Sequence, residues 1–317
     1  MVEYREDPVT GVWVLYAPQR AKRPQGYAPR AAWVEAPPHD PACPFCPGNE
    51  HLVPPEVERV PGPSGGWALR SVWNGFPVFR DPGVQEVIVD HARHDLTLAT
   101  MSREDVRVAM GLYRRRLLAA RSREDVAAPL LFRNEGSGSG ASQRHPHAQL
   151  VGLPTVPGPL ETRWRSFRAH HDREGMALLA SLREREREAR ERVLFEDRHV
   201  IVFAPRVSRA SHEIWVVPQR DEPCFEHSAE ATREAAADAL SRASQALTAA
   251  LGPVPCNLVL HTAPKGSEKD PGFVWYLEVV PRILTPGGFE LATGVIINET
   301  TPEAAATRLR AALGHQH

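Results

Sequence analysis

A mixed fold of short strands and long helices, built by tandem duplication, is what this sequence predicts, and three observations carry the prediction. The 317 residues fit two domains of ordinary size, or one duplicated unit, better than a single small core. β-like runs bounded by turn residues alternate with two long helical patterns. The halves also match in order: EVIVDHARHDLTL is echoed by EIWVVPQRDEPCFE, a helix follows each, and HPHAQLVGLP stands where VWYLEVVPR stands later. In that register His145, His147 and Gln149 match Val274, Tyr276 and Glu278, so the second copy has lost a polar constellation that the first keeps. Chemistry is expected in the first copy, and the division is expected as 1–168 and 169–317.

Composition narrows the function classes. Hydrophobic residues at 42% and charged residues at 24% describe an ordinary folded protein rather than a disordered or fibrous one. Lys and Arg number 38 against 39 Asp and Glu, a net charge of -1, so no global field attracts nucleic acid. An anionic ligand must be held by a few placed donors, which favours a small-molecule site. No apolar run reaches the roughly 20 residues of a membrane span, and MVEYREDPVTG is charged where a signal peptide turns apolar, so a cytoplasmic protein is expected. Four cysteines are too few for a disulfide framework; Cys43-Pro-Phe-Cys46 reads as metal or redox chemistry, and Cys224 and Cys256 as core packing.

Taken in order, the segment from Pro24 to Pro63 is broken by prolines and is expected to be loop, held by a staple that the Cys pair could supply. SVWNGFPVF and EVIVDHARHDLTL read as strands. A helix is expected from about Ser102 to Arg121, where Ser102 and Asp105 have the form of a capping box and Val106, Met110, Tyr113 and Leu117 recur at helical spacing. PLLFRNEGSGSGASQRHPHAQLVGLP gives strand, glycine-rich turn, strand. The charge-dense run from Leu178 to Val193 is expected to be a helix with a solvated face. Short strands, a helix over about Ala229 to Leu251, and two further strands complete the chain.

The most informative string runs from Gly138 through Gly140 and Ser142 to His145, His147 and Gln149. On a strand, residues two apart share a face, so the two histidines and the glutamine project together beside a glycine turn with free backbone N–H groups. A nucleophile next to an anion cradle results. The bland alternative is a polar strand edge whose histidines bond nearby carbonyls.

These residues resemble the galactose-1-phosphate uridylyltransferase family of the histidine-triad superfamily. The resemblance spans nearly the whole chain: QRAKRP, CPFCPG, VWNGFPVF, RHDLTL, FRNEGSGSGAS, HPHAQ, GFE and INETTPEAA occur in the family's order. It implies an α+β fold of two histidine-triad-like halves, the second degenerate and contributing to the sugar site, assembled as a homodimer. It also implies that His147 attacks the α-phosphorus of a UDP-sugar, releases a sugar 1-phosphate, and passes the uridylyl group to a second sugar 1-phosphate. A neutral imidazole is a competent nucleophile near pH 7 provided that its other nitrogen is held by an acceptor. Gln149 stands where related hydrolases carry a third histidine; an amide donates hydrogen bonds but handles no proton, which suits transfer between phosphates.

The resemblance places Arg20 and Arg23 at the nucleotide phosphates, and Asn74, Asn134 and Ser142 at the nucleotide. Without it, the arginines read as surface charge and the asparagines as turn residues. Cys43, Cys46, His94 and His145 match the family's zinc ligands, a set suited to a structural tetrahedral Zn(II); His91 is the competing ligand. Two departures stand out. The later HxH of a second metal site reads Val274-Trp275-Tyr276, so that site is expected to be absent, with Glu161 and His261 in polar or packing roles. The hexose-site Gly-Tyr-Glu reads Gly288-Phe289-Glu290, which puts the identity of the sugar in doubt. The expected function is UDP-glucose:hexose-1-phosphate uridylyltransferase. Its rivals are a nucleoside diphosphate sugar or dinucleotide phosphorylase and a zinc-stabilised nucleotide-binding module without catalysis.

Overall fold

The structure, a computed structural model, describes residues 3–22, 36–63, 65–78 and 81–314. Its strands are β1 (Glu3–Glu6), β2 (Trp13–Tyr16), β3 (Glu56–Pro61), β4 (Trp67–Trp73), β5 (Val84–Val89), β6 (Ala128–Glu135), β7 (His147–Leu153), β8 (Val193–Glu196), β9 (Val200–Phe203), β10 (Ile214–Pro218), β11 (Cys256–His261), β12 (Tyr276–Pro281) and β13 (Ile296–Asn298). The helices are α1 (Arg103–Ser122), α2 (Gly158–Glu174), α3 (Leu178–Ala189), α4 (Glu230–Leu251), α5 (Gly288–Thr293) and α6 (Pro302–Gly314).

Among the described residues, ten strands form one sheet in the order β3-β4-β5-β7-β6-β11-β12-β10-β9-β8. The order reads the same from both ends: five strands of each half, in matching sequence, meet where β6 pairs with β11. The fold is α+β, and the duplication extends to detail. A register shift between Glu56 and Glu58 on β3 has its counterpart between Val193 and Phe195 on β8. Carried strand by strand from that shared irregularity, the pairings bring His147 onto Tyr276 and Gln149 onto Glu278, the register expected from the sequence.

Alternation along each strand divides the sheet into two faces. One is apolar: Ile88, Leu131, Leu150, Leu258, Leu277 and Val216 pack with Met110, Leu117, Leu240 and Leu247 of α1 and α4 in a single large core. The capping box that starts α1 is formed, with Ser102 accepting from the Asp105 amide. The other face carries His147 and Gln149, and its second half is covered by a core that includes Phe167, Leu179, Trp215 and Tyr276.

Several expectations need correcting. The proline-rich segment is not all loop, since Glu56–Pro61 forms edge strand β3, with Pro61 at its end where no ladder donor is needed. The charge-dense helix stops at Ala189, before Arg190 turns left-handed at φ 55°, and it is not simply solvated. Arg183 and Glu186 are buried in it, Arg183 against Asp221 at 2.7 Å and Glu186 against Arg192 at 2.9 Å. Helices α2 and α6 and the small sheet β1-β2-β13 were not anticipated. Residues of β1 and β2 pack with the second half, Tyr16 Oη donating to the Ser208 carbonyl and Arg5 pairing with Glu303. No helix among the described residues is long and apolar enough to cross a membrane.

Candidate active site

His147 opens β7, opposite Val89 of β5, and only 6% of its surface is exposed. Its Nδ1 lies 2.8 Å from the main-chain carbonyl of His145. A carbonyl only accepts, so Nδ1 carries the proton and Nε2 keeps its lone pair, free of any hydrogen-bond partner among the described residues. Burial lowers the pKa of His147 from its ordinary value, and the Arg133 charge adds to this against the His145 carbonyl. The imidazole is held neutral and oriented, with a lone pair available on Nε2.

Behind the ring, the proline between His145 and His147 is tied down: the Asp90 amide donates to the Pro146 carbonyl at 2.9 Å. Asp90 is fully buried, paired with Arg133, and accepts from Tyr113 Oη at 2.7 Å. In front, Phe45, from within the Cys43-Cys46 turn, packs against the His147 ring at a centroid distance of 5.4 Å.

Cys43, Cys46, His94 and His145 converge and are all buried, with one donor atom of each within 4.8 Å of the others. Cys46 Sγ is 3.6 Å from both His94 Nδ1 and His145 Nδ1, and Cys43 Sγ is 3.7 Å from His145 Nδ1. Donors at zinc bond lengths on a tetrahedron stand about 3.3–3.8 Å apart, and the sulfur–nitrogen separations here fall in that range, so the set fits such an ion. The far nitrogen of His145 faces the His91 carbonyl at 2.7 Å, which leaves Nδ1 as the metal-facing lone pair. His91 therefore serves the cluster through its backbone, while its own ring accepts from the Arg93 amide. Held this way, a metal would staple the loop that carries Phe45 to the strand that carries His147.

In the same half of the chain, the turn after β6 passes through Gly140 in the left-handed region at φ 90°, which suits glycine. Asn134, the penultimate residue of β6, lies on the His147 face and accepts from Asn257 of β11 at 2.7 Å; Asn257 also donates to the Ser139 carbonyl at 2.9 Å. Asn257 thus clasps the glycine turn from the other half of the chain, a role that depends on the β6·β11 register and has no local motif. Ser142 is exposed on the same turn. Asn74 sits at the head of the β4–β5 connection, where its side chain accepts from the Phe76 amide at 2.8 Å and its own amide donates to the Gln85 carbonyl. Gln149 is bonded to Gln85 at 3.1 Å.

The remaining site residues lie elsewhere. Arg20, near Glu299 at 3.9 Å, and Glu290 line a cavity of about 470 Å³ over the second half of the same sheet face, together with Arg163, Arg209, His261 and Glu278. Glu290 also accepts from the Gly287 amide at the start of α5, and Phe289 is 45% exposed beside it. Arg23 lies outside the described residues. Of the second-site residues, Glu161 pairs with Arg165 on α2, and His261 stacks on Tyr276 at 4.4 Å and bonds Glu278 at 2.7 Å.

A buried, singly tethered histidine beside a Cys/His cluster and a glycine turn, on a duplicated antiparallel sheet, forms the candidate active site. The model of the galactose-1-phosphate uridyl transferase N-terminal domain matches residues 71–157, which span the sheet strands β5–β7 and α1. ADP-glucose phosphorylase of Arabidopsis thaliana is 28% identical over 97% of this chain and 92% of its own length. Galactose-1-phosphate uridylyltransferase of Thermotoga maritima is 25% identical over 98% of each chain. The crystal structure of an Arabidopsis thaliana ADP-glucose phosphorylase with bound ADP-glucose superposes with a TM-score of 0.85 at 28% identity, covering 98% of this chain and 99% of that one. The chain thus resembles galactose-1-phosphate uridylyltransferase and ADP-glucose phosphorylase over nearly its whole length.

Proposed function

We propose that this protein is a nucleotidyltransferase that moves a nucleotidyl group from a nucleoside diphosphate hexose through a covalent intermediate on His147, acting as a UDP-glucose:hexose-1-phosphate uridylyltransferase. The observation that carries the reading is the His145 carbonyl on His147 Nδ1, which leaves Nε2 as the attacking atom. Nε2 forms a bond to the α-phosphorus while the bond from that phosphorus to the bridging oxygen breaks, and the electron pair leaves with the hexose 1-phosphate. A phosphate leaving group needs no proton, so Gln149 has only to donate to the phosphoryl oxygens. An oxygen of the incoming hexose 1-phosphate then attacks the same phosphorus and frees the imidazole.

Cys43, Cys46, His94 and His145 are proposed to hold Zn(II) in a structural role, which would fix the loop and strand flanking the nucleophile. Arg20, Arg23, Phe289 and Glu290 are proposed to contribute to phosphate and hexose binding, and the protein is proposed to act as a cytoplasmic homodimer.

A second reading keeps the same first half-reaction and changes the acceptor: phosphorolysis of an ADP-sugar. The likeness to ADP-glucose phosphorylase in sequence and in fold favours it. Product analysis tests the two against each other. UDP-glucose with galactose 1-phosphate yielding UDP-galactose supports the first; ADP formed from ADP-glucose only when inorganic phosphate is added supports the second. Catalysis of neither leaves a nucleotide-binding module.

A further inference from the structure

We propose that Gln85 is a positioning residue that dictates which end of the Gln149 carboxamide faces the reacting phosphate; this rests on the reading of His147 and Gln149 given above. An amide side chain has an accepting end and a donating end of nearly equal size, and only its surroundings decide between them. Here the decision traces to a main-chain group. The Val78 N–H donates to Gln85 Oε1 at 2.8 Å, and a backbone N–H can do nothing else. The opposite end of Gln85 is therefore its NH2, which donates to Gln149 Oε1 at 3.1 Å. Gln149 in turn must direct its own NH2 away from Gln85.

Strand register says where that direction leads. Gln85 stands opposite Val151, whereas His147 stands opposite Val89, so Gln85 and His147 lie on opposite sides of Gln149 along β7. The donating end of Gln149 is thus turned to the His147 side, where it has no hydrogen-bond partner among the described residues. Two consecutive amide bonds carry an orientation from the loop after Trp73 to the place where the phosphoryl oxygens would sit. Gln85 itself is 8% exposed, so water does not compete for the arrangement.

The other half of the chain provides an internal comparison. In the shared register the positions of Gln85 and Gln149 are taken by Glu213 and Glu278. Two carboxylates cannot bond each other, and Arg209 serves both, bonding Glu278 and lying 3.9 Å from Glu213. The amide-to-amide relay is found in the copy that carries the histidine nucleophile, and an ion pair replaces it in the copy that carries Tyr276.

Gln85→Glu separates orientation from packing. A glutamate at this position is the same size and still accepts from Val78, but it presents an oxygen to Gln149, which can bond it only by reversing its amide. Gln85→Leu removes the bond without imposing a reversal. The expected rate of nucleotidyl-enzyme formation falls about 100-fold in Gln85→Glu and about ten-fold or less in Gln85→Leu, with KM for the nucleotide sugar within about two-fold and melting temperatures close to the parent. In a Gln149→Ala background, Gln85→Glu should add less than about a two-fold loss. A packing role gives the reverse order, because glutamate is the closer isostere, and that order overturns the proposal. Neutron diffraction of the ligand-free protein reads the orientation directly: deuterons of Gln149 on the His147 side support the proposal, and deuterons facing Gln85 overturn it. That readout stands even if the parent forms no nucleotidyl-enzyme, a result that would count against the proposed function alone.

Discussion

The ring of His147 is tethered through Nδ1 to the carbonyl of His145, 2.8 Å away, and His145 is itself one of four side chains that converge as a metal cluster. Two residues apart, one just before β7 and one at its first position, they divide the work: one imidazole faces a candidate metal, and the other keeps Nε2 without a hydrogen-bond partner among the described residues. In the proposed reaction, the pairing lets His147 act without a carboxylate partner. A main-chain acceptor fixes the tautomer without adding a base that would draw protons into the proposed transfer, which moves none.

His147→Ala is expected to lower nucleotidyl exchange by roughly 1,000-fold or more, since no neighbouring group can replace the attacking nitrogen. The fold should survive, because His147 sits at the start of β7 and not within the large apolar core. Exchange of labelled hexose 1-phosphate into the nucleotide sugar measures the loss, and circular dichroism checks the fold.

Removing the metal should loosen the loop before it unfolds the sheet. Cys46→Ser, which breaks the set of four buried donors, is expected to abolish stoichiometric metal binding. A lowered melting temperature should accompany it, with increased proteolysis around residues 38–50, which the cluster holds against β5 and β7. Elemental analysis of the purified parent should find about one zinc per chain.

Burial of an ion pair beneath the site makes one partner hard to lose. Arg133 is 2% exposed in its pairing with Asp90, and Arg133→Met leaves the Asp90 carboxylate buried and uncompensated. A loss of about 3–5 kcal/mol in urea unfolding is expected, and exchange should fall as well, because Asp90 also ties the Pro146 carbonyl.

Acid sensitivity should trace in part to His212, a buried residue at φ 64° with neither ring nitrogen bonded among the described residues. Burial pushes its pKa down to about 4. The unfolded chain, near the usual value of about 6.5, binds the proton more readily, so stability is lost as pH falls from about 6.5 toward 4 and is unaffected by this residue above that window. His212→Asn, which tolerates the left-handed backbone, should flatten the dependence of the urea midpoint on pH across that range.

Much of this was legible in the sequence because its signals are local. Ser102 and Asp105 announce the start of α1, the Gly138–Gln149 string announces the turn and strand of the site, and Cys43 with Cys46 marks a staple inside a proline-rich stretch. The duplication was legible because both copies keep strand, helix, strand in order. What the sequence withheld depends on pairing across long separations. β2 is a four-residue strand whose partners are a neighbour and β13, nearly the whole chain away, and nothing in WVLY names them. Asn257 and Gln85 escaped for the same reason, since one acts through the β6·β11 register and the other through a diagonal contact on β5. Helix α6 carries a local start signal, Thr301 before Pro302, inside the INETTPEAA string.

Intact-protein mass spectrometry after brief mixing with UDP-glucose, and in parallel with ADP-glucose, under an alkaline quench that preserves a phosphoramidate, tests the central claim most directly. The account predicts a gain of one nucleotidyl group in the parent protein, none in His147→Ala, and reversal when hexose 1-phosphate is added. A parent protein that turns over either nucleotide sugar without gaining mass, or a His147→Ala variant that gains it, would contradict a covalent mechanism through His147.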